Sequence, residues 1–182
     1  MRYVRHTKER GIVLAPGKMG IMIRMYIDAA YGVHHDRTSH TGSCVVIGDR
    51  GAVHCRSSKQ SSMSKSSTEA ELIALSDSAN QALYLRCFLT DQGYEMDPVL
   101  FYQDNTSTMA LMARGKPGAE RTRHIDIRYF WLADRIKGKE AVIEHMRTEE
   151  MYANILTKPL QGAQFQYERE CLTGWTDDET VK

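Results

Sequence analysis

The hydrophobic pattern along the chain changes period several times, and each change marks an element. The run IMIRMYIDAA and its continuation (residues 21–31) is apolar enough for a buried strand. Residues 42–48 and 52–56 flank the turn signal GDRG and predict a hairpin, which places three strands before any helix. From Thr68 to about Asp91 the spacing becomes helical, with Leu75, Ala79, Ala82 and Leu89 on one stripe and Gly93 as the stop. Pro98 opens a fourth strand, VLFYQ; Asn105, Thr106 and Ser107 then offer caps for a short helix TMALMA that ends at Gly115. A further helix is predicted from Ile125 to Lys137, stopped by Gly138, followed by a fifth strand over 141–146. The last predicted helix is short, covers Ala153 to Leu156 and is broken at Pro159.

Length and composition narrow the picture modestly. The 182 residues suit one compact domain with extensions. A formal charge of +1 excludes a uniformly basic coat, so any grip on a polyanion has to come from clusters such as Arg121, Arg123 and Arg128, or Lys59 and Lys65. Cys44, Cys55, Cys87 and Cys171 lack CxxC spacing and read as reduced thiols. Apolar runs are short and interrupted by charge, so no membrane span is expected. Residues 1–20 are basic, end in the turn-rich APGKMG and read as a leader with a Pro/Gly linker, while the acidic DDET (177–180) reads as a disordered tail.

Candidate chemistry lies in three carboxylates on differently patterned segments: Asp28, Glu71 and Asp104. Carboxylates gathered from separate elements are what a pair of magnesium ions needs to attack a phosphodiester. Each also has a plainer use: Asp28 as a strand-end aspartate, Glu71 as a helix cap, Asp104 as an N-cap. Within TEAE, about 200° of helical rotation separates Glu69 from Glu71, so only one can face the sheet. Glu71 shares its face with Leu75, Ala79 and Ala82. Two capping boxes fit, Ser66 with Glu69 and Thr68 with Glu71; a helix starting at Ser66 gives the cap to Glu69 and frees Glu71. Asp126 fits the first turn of its helix as a dipole partner. His34, His35, His40 and Cys44 match no common zinc spacing.

Five blocks in order carry a resemblance: SSKQ (57–60), SSTEAELIALSDSA (66–79), QDNTSTMAL (103–111), RTRHIDIRYFWL (121–132) and ANILTKPL (153–160). From about Tyr26 to Leu160 the chain resembles the ribonuclease H domain of copia-type LTR retrotransposon polyproteins. The resemblance implies an α/β fold, a mixed five-stranded sheet with helices on both faces, in the order β-β-β-α-β-α-α-β-α. It divides the chain into a leader from the preceding polymerase region (1–20), the domain (21–160) and a C-terminal extension (161–182).

It also implies hydrolysis of the RNA strand of RNA/DNA hybrids during reverse transcription, with two Mg²⁺ ions, replaceable by Mn²⁺, held by Asp28, Glu71, Asp104 and position 154. Where the family pattern has Ala-Asp before Ile-Leu-Thr-Lys-Pro-Leu, this chain reads Ala153-Asn154, which removes a charged ligand. The implied alternative is an inactive domain that only holds nucleic acid. Ser57, Ser58 and Asn105 are candidate contacts to substrate. The implied partners are the hybrid and the polymerase region of the same polyprotein, in the cytoplasm within virus-like particles.

Overall fold

The computed structural model describes residues 2–15, 20–113 and 123–175, without the side chains of 123–125. The Pro/Gly linker, Arg121, the side chains of Arg123 and His124, Gly115 and the acidic tail therefore lie outside the described residues.

The elements are α1 (Arg2–His6), β1 (Ile23–Ala30), β2 (His40–Ile47), β3 (Ala52–Lys59), α2 (Ser67–Asp91), β4 (Val99–Gln103), α3 (Thr106–Ala113), α4 (Arg123–Lys137), β5 (Ala141–His145) and α5 (Gly162–Thr173). Two 3₁₀ turns, Thr148–Glu150 and Asn154–Leu156, lie between β5 and α5. The five strands form one mixed sheet in the order β3-β2-β1-β4-β5. The first three strands are antiparallel, and β4 and β5 run parallel to β1.

Alternation along β1 supplies both cores. Ile23, Met25 and Ile27 face a cluster containing Leu72, Ile73 and Leu75 of α2 and Tyr129 and Leu132 of α4. Tyr26 points to the opposite face, among Cys44, Val46, Met151 and Ala153, with Leu172 of α5 at the margin. Helices thus cover both faces, as the resemblance implied. The predicted hairpin turn is present, with Gly48 and Gly51 at φ of 79° and 80°, where residues with a Cβ are strained.

Several boundaries differ from the sequence expectation for physical reasons. β1 begins at Ile23 rather than at residue 21, and it runs past Asp28 as the predicted range does, with Ala29 and Ala30 pairing with Thr41 and His40. The end of α4 uses Lys139, at φ 59°, as its left-handed residue rather than Gly138. The short helix near 153–156 is a 3₁₀ turn. Two of the cations suggested for gripping a polyanion are paired internally: Arg128 with Asp77 of α2, and Lys59 with Asp36 at 2.5 Å.

α5 has no counterpart in the sequence reading, and its packing explains why. Its one buried residue is not apolar but Glu168, fully shielded from solvent. The Glu168 carboxylate accepts from Ile155 N at 2.7 Å and from Gln164 Nε2 at 2.8 Å. Gln164 Nε2 also donates to the Glu149 carbonyl at 2.8 Å, so one helix ties down both 3₁₀ turns. Residues 2–15 run along the same helix, through Val13 N to the Thr173 carbonyl at 2.7 Å and an edge contact of Tyr3 with Phe165.

Removing the buried acceptor leaves Ile155 N without its partner, at a cost of about 1–3 kcal/mol, while Gln164 keeps its bond to the Glu149 carbonyl. Glu168→Ala should therefore lower the midpoint of urea unfolding by a corresponding amount. An unchanged midpoint would show that α5 is not held by this carboxylate.

Candidate active site

Strand register brings the first two carboxylates together. In the parallel pair β1–β4, Tyr26 lies opposite Tyr102. Two residues further on, Asp28 and Asp104 therefore emerge side by side on one face, at the carboxyl ends of two central strands. Position 103 points to the other face, where Gln103, fully buried, meets α2. Its Nε2 donates to Glu71 Oε2 at 3.2 Å, and Ala29 N donates to Glu71 Oε1 at 3.2 Å. Gln103 Oε1 accepts from Asp104 N at 3.0 Å. One amide side chain thus orients both Glu71 and the backbone that carries Asp104.

The helix start resolves the choice between the two glutamates. Ser66 is the N-cap, accepting from Glu69 N at 3.2 Å, and Glu69 Oε2 accepts from Lys65 N at 2.7 Å. Glu69 stays at the helix start and Glu71 points inward with 5% exposure. Asn105 takes the cap of α3 by accepting from Thr108 N at 3.0 Å, which leaves Asp104 out of that role.

Carboxylate oxygens of Asp28, Glu71 and Asp104 all lie within 4.8 Å of one another. Among the described residues this is the one group of three or more His, Cys, Asp or Glu side chains so gathered. Asp126 and the His34–Cys44 segment are outside it. Hard oxygen donors of this kind suit Mg²⁺ or Mn²⁺ over thiophilic metals. Burial, with the charges of Asp28 and Asp104, pushes the Glu71 carboxyl up to about 9.

Asn154 stands on the other side of Asp28. It is buried; its Nδ2 donates to the Thr148 carbonyl and its Oδ1 accepts from Lys158 Nζ. Lys158 Nζ also lies 3.1 Å from Asp28 Oδ1, and Thr157 Oγ1 donates to Asp28 Oδ2. Thr148 Oγ1 donates to Asp104 Oδ2 at 2.9 Å. The turn carrying Asn154 can lie this close because β2 offers Gly42 opposite Asp28. A Cβ at Gly42 would stand 2.6 Å from Thr157 Cγ2 and 2.8 Å from the Ala153 carbonyl.

Of the suggested substrate contacts, Ser57 shares the cross-strand row of Asp28 and Gly42. Its hydroxyl donates to the Leu156 carbonyl at 2.7 Å and bonds His40 Nε2 at 2.8 Å. Ser58, on the other face, accepts from Arg56 Nε at 3.0 Å. Sequence reasoning did not single out Gln103, Thr148, Thr157 or Lys158. Only Lys158 left a signal, its spacing of four from Asn154.

This sheet order, with its helices, is the ribonuclease H-like fold. The metagenomic LC11-RNase H1 isolated from compost superposes with a TM-score of 0.54 at 19% identity, over 74% of this chain and 91% of that one. Its structure in complex with an RNA/DNA hybrid gives 0.53 at 16% identity, over 74% of this chain and 92% of that one. No protein-family model matches the chain.

Among curated proteins, the Retrovirus-related Pol polyprotein from transposon TNT 1-94 of Nicotiana tabacum is 30% identical over 171 residues, 93% of this chain. That from transposon RE2 of Arabidopsis thaliana is 29% identical over 168 residues, 91% of this chain. The chain spans only 13% and 11% of those two polyproteins. It is an RNase H-like domain that matches copia-type retrotransposon Pol polyproteins over most of its length.

Glu71 sets a pH dependence. Its folded value of about 9 lies above its ordinary 4.5, so its contribution to stability is full below 4.5 and is lost as pH rises toward 9. A bound divalent cation favours the ionised form and offsets that loss. Thermal melts should show millimolar Mg²⁺ raising Tm more at about pH 8.5 than at about pH 5, and Glu71→Gln should abolish the difference. Equal shifts at both pH values, or none, would count against a metal at this cluster.

Proposed function

We propose that this chain hydrolyses the RNA strand of RNA/DNA hybrids, as the ribonuclease H domain of a retrotransposon polyprotein during reverse transcription. The observation that carries the reading is the convergence of Asp28, Glu71 and Asp104 within 4.8 Å at the ends of β1 and β4 and the first turns of α2. The match to retrotransposon Pol polyproteins over most of the chain supports the setting.

Asp28, Glu71 and Asp104, with Asn154 as a neutral fourth position, would hold two Mg²⁺ ions, or Mn²⁺ in their place. When bound, such ions supply the Lewis acidity that activates water toward the scissile phosphate and stabilises the leaving 3′ oxygen. The chain's own residues orient the ligands. Gln103 and Ala29 N fix both oxygens of Glu71, and Thr148 fixes Asp104. Thr157 and Lys158 fix Asp28.

Ser57, Ser58 and Asn105 are assigned to contacts with the hybrid, whose RNA strand is told apart by its 2′-hydroxyls across the wide minor groove. The amide of Asn105 remains the donor there, since its oxygen caps α3. The polymerase region of the same polyprotein is the natural partner, and virus-like particles in the cytoplasm the natural setting. No described helix is long and apolar enough to cross a membrane.

A second reading, a domain that binds hybrid without cleaving it, draws on the neutral Asn154. A single-turnover assay on a labelled hybrid in Mg²⁺ and in Mn²⁺ separates the two. Cleavage of the RNA strand alone is expected, with Asp28→Asn or Glu71→Gln lowering the rate by about two orders of magnitude or more and Glu69→Gln leaving it within about twofold. Asn154→Asp should raise the Mg²⁺ rate by about tenfold, and Mn²⁺ should partly rescue the unaltered chain. Hybrid bound but uncleaved in both metals would favour the second reading. Loss of cleavage from Glu69→Gln alone would overturn the choice of Glu71.

A further inference from the structure

Lys158 lies outside the carboxylate cluster yet touches its central member. Its Nζ is 3.1 Å from Asp28 Oδ1 and is also hydrogen-bonded to Asn154 Oδ1, so the ammonium bridges the Asp28–Asn154 half of the site. The Asp28 side chain is only 3% exposed, whereas that of Lys158 is 38% exposed. The lysine stem therefore reaches in from solvent to place its charge on a buried acid.

Two features hold it there. Lys158 N donates to the Asn154 carbonyl at 2.8 Å, which stacks the two side chains one turn apart. The Asn154 amide is locked by its bond to the Thr148 carbonyl, so its oxygen is turned toward the ammonium.

We infer that Lys158 is a built-in cation that occupies the second cation position of this site, so that the substrate-free protein takes up one divalent ion and not two. The inference rests on the metal-binding reading of Asp28, Glu71 and Asp104 and deepens it. Geometry supports it: the ammonium already sits between the Asp28 and Asn154 side chains, the place a second cation would need. The position that would otherwise supply a fourth negative charge carries an amide.

A second divalent ion placed between Asp28 and Asn154 would meet the ammonium at close range, with no added anion to offset the repulsion. It can enter only if Lys158 swings outward, which its half-exposed stem permits, or when a substrate phosphate brings the missing charge. Lys158 then acts as a positioning residue that couples uptake of the second ion to arrival of the polyanion.

Counting bound ions tests this without reference to activity. Mn²⁺ is titrated into the full chain without nucleic acid, with free Mn²⁺ followed by electron paramagnetic resonance, for the unaltered protein, Lys158→Met and Lys158→Arg. The expected result is one Mn²⁺ per chain for the unaltered protein and for Lys158→Arg, and either a second ion or at least about tenfold tighter binding for Lys158→Met. Two ions on the unaltered protein would overturn the inference, a result that does not depend on any variant folding. An unchanged count and affinity in Lys158→Met would overturn it as well while leaving the carboxylate cluster standing. No Mn²⁺ bound by any of the three would remove the metal site itself, and the inference with it.

Discussion

Three carboxylates held within 4.8 Å, two of them nearly excluded from solvent, are a costly arrangement on which the rest of the site depends. Negative charge in such a place requires donors at close range, and the structure supplies them from every side. Ala29 N and Gln103 serve Glu71, Thr148 serves Asp104, and Thr157 and Lys158 serve Asp28. Even so, Glu71 favours its proton until a value of about 9, so hydrogen bonding alone does not settle the charge. The remaining imbalance is one that a bound cation would relieve.

That demand explains features remote from the site. Thr148, Asn154, Thr157 and Lys158 all sit on the segment after β5, whose 3₁₀ turns have too few backbone hydrogen bonds to hold themselves. They are fixed from below by Gly42, which lets the turn approach the sheet, and from outside by α5 through Glu168 and Gln164. The ring of Tyr152 stacks on Tyr26 at 4.1 Å between centroids, two residues from Asp28 along β1. Hydrophobic packing on this face is modest, with Tyr26, Cys44, Val46, Ala52, Met151 and Ala153 its buried members. Polar ties carry the rest.

The same division decides what could be read from the sequence. Elements marked by apolar runs, helical spacing or turn signals were legible: the five strands, β3 through its hairpin turn, α2 with its Leu75–Ala79–Ala82 stripe, and α4 through its stop. The inward turn of Glu71 agrees with its helical phase to Leu75, Ala79 and Ala82, but α2 is buried nearly all round at its start, Ile73 and Ser76 included, so the stripe alone did not fix one face. α5 was not legible because its buried residue is a glutamate, and a carboxylate in the sequence carries no mark of being inside. Gln103 was missed for the same reason. Strand alternation placed it opposite Asp104, but only the tertiary structure shows that α2 brings Glu71 to it. The paired states of Arg128 and Lys59 likewise depend on contacts 51 and 23 residues away.

Asn154 shows how the surroundings are matched to an amide. Its Nδ2 donates to the Thr148 carbonyl, a bond that a carboxylate cannot make, and its oxygen meets Lys158. An aspartate at this position would strengthen the contact with the ammonium and add a second negative charge beside Asp28. It would also set two acceptors against each other at Thr148, whose carbonyl would keep only the 3.3 Å bond from Met151 N. Thr148 is the residue that orients Asp104, so charge gained on one side of Asp28 is coupled to order lost on the other. The amide therefore favours a rigid, closed turn, while a carboxylate favours the cation, and Lys158, touching both Asp28 and position 154, is where the two demands meet.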